Sequence, residues 1–74
     1  MNNINSVIVK NEKLHIGKES KFYTAKINYN NVNFNVTYDC QNGKIIIHEW
    51  YKLDEPQLSS LTEELKKHFQ NKAA

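Results

Sequence analysis

Between Phe22 and Leu53 the chain alternates apolar and polar positions with a period of two. Tyr23, Ala25, Ile27 and Tyr29 make one apolar set and Val32, Phe34, Val36, Tyr38 and Cys40 a second, with Thr, Lys, Asn and Asp between them. Successive side chains on a strand point to opposite faces of a sheet, so this pattern predicts half-buried strands over 22–29 and 32–40. Asn30-Asn31 separates the two. Asn tolerates the positive φ of a type I′ turn, and a two-residue loop there sets Tyr29 against Val32 on one face. Asn42-Gly43 is a second two-residue signal. It predicts a strand over 44–53 with Cys40 opposite Ile45, Tyr38 opposite Ile47, Val36 opposite Glu49 and Phe34 opposite Tyr51, the inner face continuing through Leu53. Upstream, Val7 with Val9 and Leu14 with Ile16 predict two short strands, 7–10 and 13–16, around an Asn11-Glu12 turn, and polar 17–21 reads as a connection.

After Asp54-Glu55-Pro56 the period becomes helical. Leu58, Leu61, Leu65 and Phe69 form one stripe, and Glu63, Glu64, Lys66 and Lys67 lie on the other side. This predicts a helix over 56–71, with Pro56 in its first turn, acids at the electropositive start and lysines near the end. Ser60 and Glu63 also have capping-box spacing, which leaves the start open between 56 and 60. The expected fold is α+β: an antiparallel meander of four to five strands with one C-terminal helix packed on one face. It forms one domain over 1–74, with a flexible N-terminus at 1–5 and a frayed C-terminus at 72–74.

At 74 residues, 39% of them hydrophobic, the chain has enough apolar surface for one core and no room for a second. Ten basic residues, all Lys, stand against eight acids, for a formal charge of +2. That balance permits nucleic-acid binding without implying it. The absence of Arg removes the bidentate forks that read guanine edges and clamp phosphates. Cys40 stands alone, so there is no intrachain disulfide and no cysteine zinc set, and a reducing compartment fits. Residues 1–10 lack the basic region and apolar run of a secretion signal, and no segment is long enough for a membrane span. The cytoplasm is the expected location. Gly17 and Gly43 are both used in turns, so no glycine-rich phosphate loop exists and no cofactor is expected.

The same register maps the outer sheet face into rows: Phe22, Asp39, Ile46; then His15, Thr24, Thr37, His48; then Lys13, Lys26, Asn35, Trp50. His15 and His48 fall about 14 Å apart and cannot share a metal within one chain, so no metal site is expected. His48 and Glu49 are neighbours on a strand, point to opposite faces and form no acid–base dyad. Cys40 faces inward as a small hydrophobe. Glu49 breaks the pattern by placing a carboxylate on the inner face. A bulge near 48, a tyrosine hydroxyl beside Ala25, or a buried functional acid are the three ways to accommodate it.

Phe22, Ile46 and Trp50 are large apolar residues on the face expected to meet water, and Lys13, Lys26, Lys44 and Lys52 point to the same side. Aromatics that become desolvated by a partner anchor interfaces. Trp50, Ile46, Phe22, His48, Lys26 and Lys52 are therefore the candidate partner-binding residues, and no catalytic residue is assigned. The first functional expectation is a non-enzymatic protein-interaction module that binds a host or cognate protein. Small Asn- and Lys-rich chains of this kind are encoded by phages and mobile elements as inhibitors of host machinery, and the marginal size also accommodates a homodimer. The second is a nucleic-acid-binding module that stacks bases on Trp50 and Phe22. The third is a minimal enzyme or toxin using His48 or Glu49.

Overall fold

The computed structural model of the chain describes residues 7–73, so the expectation for 1–5 lies outside the described residues. Four strands, β1 (Val7–Ile16), β2 (Lys21–Tyr29), β3 (Val32–Asp39) and β4 (Lys44–Ile47), form an antiparallel sheet in the order β1-β2-β3-β4. A 3-10 turn (Trp50–Lys52) follows, and the helix α1 (Glu55–Ala73) closes the chain. The α+β meander with its C-terminal helix is the architecture expected, with four strands.

The count is four because Asn11-Glu12 is a bulge inside one long strand and not a hairpin turn. Lys10 pairs with Lys26 but Lys13 with Thr24, so Asn11 and Glu12 together oppose Ala25. Asn11 takes φ 53°, the left-handed conformation that Asn accepts at low cost. The inserted residue reverses the parity of the strand. Val7 and Val9 before it, and Glu12 and Leu14 after it, therefore share the inner face.

The β2–β3 hairpin has positive φ at both Asn30 and Asn31 and sets Tyr29 against Val32, as the sequence predicts. The β3–β4 hairpin departs by two residues: Tyr38 pairs with Ile45 and Val36 with Ile47. Its loop is Cys40–Gly43, four residues and not two. The Asp39 carboxylate causes this by accepting the Gln41 N–H at 2.9 Å and the Asn42 amide Nδ2 at 2.7 Å, while Gly43, at φ 67°, donates its N–H to the Asp39 carbonyl. An Asx turn thus outcompetes the tighter loop. A shift of two leaves every side chain on its expected face.

The helix starts one residue before Pro56. Asp54 caps it, accepting the Gln57 N–H at 3.0 Å, and Gln57 Oε1 accepts the Asp54 N–H in return. This capping box, and not Ser60 with Glu63, fixes the start. Leu61, Leu65 and Phe69 then pack on Ala25, Ile27, Phe34, Val36, Tyr38 and Ile47, with Phe69 stacked on Tyr38 at 5.4 Å and tilted against Tyr23. Each such aliphatic or aromatic burial contributes about 1.5–3 kcal/mol. Cys40, just past β3, is partly buried against this core.

The helix runs on to Ala73, beyond the expected end at 71. Its last turns are tied to the bulge: Glu12 bonds His68 Nε2 and lies 2.9 Å from Lys72 Nζ. Burial works against ionisation of Glu12, but the bonds to His68 and Lys72 outweigh it and hold its carboxyl below the ordinary value. The Glu12 hydrogen bond in turn raises Lys72. Leu14 and Ile16 lie past this anchor on β1 and are exposed.

Candidate functional site

The inner β4 face is Ile45 and Ile47, and in the observed register the next inner position, Glu49, would lie opposite Phe34. Phe34 is buried, and placing a carboxylate beside it without a partner costs several kcal/mol. The strand therefore stops at Ile47, and residues 48–53, expected to continue it, leave the sheet. His48 makes the last ladder contact, its N–H donating to the Asn35 carbonyl at 2.8 Å. Glu49 then turns away from extended geometry at φ −100°, ψ 36°. Its Oε1 accepts the Asn35 backbone N–H at 2.7 Å and its Oε2 accepts Asn35 Nδ2 at 2.8 Å. The carboxylate occupies the place a neighbouring strand's carbonyl would fill. None of the three expected accommodations of Glu49 is found: β4 ends at Ile47 without a bulge, and the carboxylate meets Asn35 rather than a tyrosine or a buried site. The backbone N–H of Asn35, and then its side-chain amide, hold the Glu49 carboxyl below its ordinary range.

From this anchor the chain makes one 3-10 turn. Lys52 N–H donates to the Glu49 carbonyl and Leu53 N–H to the Trp50 carbonyl, both at 3.0 Å, and Leu53 packs against the core. The turn is thus held at both ends, by Asn35 before it and by Leu53 and the Asp54 cap after it. None of its own side chains is buried. Trp50 is 58% exposed and Tyr51 67%, their rings edge to face at 6.2 Å, and Ile46 on β4 is 51% exposed. Trp50 and Tyr51, with exposed Lys52 beside them in the same turn, form an aromatic ridge just past β4. Trp50 is displayed by this turn and not by the sheet row predicted for it. Tyr51, assigned to the inner face from sequence, is the ridge residue that sequence reasoning missed. The signal that finds it is the charge at Glu49, which cannot stay in the strand.

A chain of short polar contacts runs across the outer sheet face. His15 Nε2 lies 2.9 Å from Thr24 Oγ1, Thr24 pairs with Thr37, and Thr37 Oγ1 lies 3.0 Å from His48 Nε2. The expected His-Thr-Thr-His row is thus linked through side chains, although the Cα partner of His15 is Phe22 and that of Thr37 is Ile46. Phe22 is half-buried, with the His15 ring stacked on it at 4.8 Å. It lies opposite Asp39, whereas Ile46 is opposite Thr37 rather than in the Phe22 row. Lys26 is exposed beside Asn35, with Lys10 as its other partner in place of Lys13.

Glu49 has both oxygens engaged by Asn35 and His48 contacts a hydroxyl, so the two do not form a proton-transfer pair. Among the described residues no three His, Cys, Asp or Glu side chains converge as metal ligands. A cleft of about 180 Å³ between β1 and α1, lined by Val7, Val9, Glu64, Leu65 and His68, is smaller than the ~300 Å³ at which small-molecule sites begin. A depression of about 660 Å³ is an open trough on α1, with no sheet residue in its lining. No described helix is long and apolar enough to cross a membrane. No protein-family model, curated protein or solved structure matches this chain.

Proposed function

We propose that this chain is a non-enzymatic protein-binding module that docks its partner through the Trp50–Tyr51 ridge, with Ile46 beside it and Lys52 at its rim. The observation that carries the reading is a contrast within one short segment. Two side-chain hydrogen bonds, a ladder bond and two turn bonds fix residues 48–53, yet the two aromatic rings they display contribute nothing to the core. Trp and Tyr are enriched among residues that dominate binding energy, and holding them in place beforehand lowers the entropy cost of association. Such a module acts by occupying its partner's surface, as an inhibitor does.

The nucleic-acid reading is the weaker one. Base stacking needs open ring faces on the sheet, and Phe22 has one face covered by His15. Capture by immobilised protein from nuclease-treated lysate tests the choice, using wild type and the Trp50→Ala and Tyr51→Ala variants, each checked for folding by circular dichroism. The expected result is a discrete protein retained by wild type and lost from both variants. Retention unaffected by either substitution, or capture that vanishes on nuclease treatment, overturns the reading.

A further inference from the structure

Lys10 and Lys26 face one another directly across the β1–β2 pair, both exposed on the outer face. Like charges in that position cost stability. The carboxylates that could relieve them are committed elsewhere. Glu12, two residues along β1, is turned to the helix side by the bulge and bound by His68 and Lys72. Asp39 is held by its own turn, and Glu49 by Asn35. Lys13, the next outer-face residue of β1, adds to the same charge.

The position of the pair connects it to the ridge. Lys10, Lys26 and Asn35 form one cross-strand row, and Asn35 is the residue that grips Glu49, the neighbour of Trp50. Lys10 thus lies two strand spacings, about 10 Å, from Asn35. From this juxtaposition we infer that the partner presents an acidic protein surface whose carboxylates sit over Lys10 and Lys26 while its apolar pocket takes Trp50 and Tyr51. The inference rests on the ridge reading and names the chemistry of the partner. An unrelieved like-charge pair next to a fixed aromatic ridge matches a surface with an apolar centre and an acidic rim, since complementary charge steers encounter and fixes orientation. A polypeptide suits it better than a nucleic acid, because the row offers no guanidinium fork to clamp phosphates and no open aromatic platform on which bases stack.

The test is an NMR titration of ¹⁵N-labelled protein with an oligoglutamate peptide and, in parallel, a single-stranded oligothymidylate of matched length. Oligoglutamate is expected to shift the amides of Lys10, Lys26 and Asn35, to bind more tightly than oligothymidylate, and to lose about tenfold in affinity with the Lys10→Gln/Lys26→Gln variant. That variant is expected to melt no lower than wild type, because the repulsion is gone. Absence of shifts at these residues, unchanged affinity in the double variant, a lower melting temperature, or tighter binding of oligothymidylate each overturns the inference. Ridge failure is read separately, in the Trp50→Ala capture. Loss there, together with unchanged oligoglutamate binding in the Lys variant, removes the acidic partner and leaves the ridge.

Discussion

Replacing Glu49 with Ala removes both hydrogen bonds that hold the ridge turn to β3. A net intramolecular hydrogen bond stabilises by about 0.5–1.5 kcal/mol, and partial solvent exposure screens the charge here. The two bonds together are therefore worth about 1.5 kcal/mol, or roughly 6–12 °C in melting temperature for a domain of this size. The pH dependence gives a sharper signature. Asn35 depresses the Glu49 carboxyl in the folded state, below its unfolded value of about 4.3. Its stabilisation is thus fully present above that unfolded value and is lost as pH falls through the depressed folded one. Thermal unfolding followed by circular dichroism should show wild type well above Glu49→Ala at neutral pH, with the gap closing in acid. Glu49→Gln, which keeps an acceptor for the Asn35 N–H, should fall between them. A Glu49→Ala protein that melts with wild type at neutral pH, or a gap that persists undiminished in acid, would refute the assignment of Glu49 as the anchor.

Glu12→Gln should loosen the end of α1, speeding amide exchange over residues 68–73 roughly tenfold while leaving the Leu61 turn protected. Because Glu12 is also depressed when folded, its contribution should likewise fade as pH drops through that value, measured as a shrinking gap in melting temperature. Phe69→Ala removes a fully buried ring and should cost about 3–5 kcal/mol. A chain of this length commonly has roughly 4–11 kcal/mol in total, so this variant should be partly unfolded in a urea titration. At the bulge, Asn11→Gly should match or exceed wild type in stability, whereas Asn11→Val should lose about 1–2 kcal/mol because a β-branched residue resists positive φ.

Strand faces, the Asn30-Asn31 hairpin and the helix stripe were legible because each follows from periodicity, and burial of one face leaves little freedom. The points that escaped were all decided by a single polar side chain. Asp39 captured two amides and lengthened the β3–β4 loop, a choice invisible to a pattern that is unchanged by a shift of two. Asn11 supplied positive φ, which suits a turn and a bulge equally, and only the helix contacts of Glu12 distinguish them. Ser60 with Glu63 has capping-box spacing, but Asp54 caps the helix because Gln57 returns a bond to it. A carboxylate at Glu49 is inconsistent with a buried strand on sequence alone, but the cost of pairing it with Phe34 appears only once the register is known. That cost moved Trp50 off the sheet and brought Tyr51 out of the expected core. The candidate surface was therefore half legible: Trp50, Ile46 and Lys52 were on it, Tyr51 was not, and Phe22 belongs beneath His15.

The most direct measurement places a photo-crosslinking amino acid at position 51, and in a control protein at position 63 on the solvent side of α1, then irradiates each in nuclease-treated lysate. The expected result is one discrete protein adduct from position 51 and none from 63, competed away by excess wild type and not by excess Trp50→Ala. An adduct from position 63 with none from 51 would contradict the ridge as the binding surface.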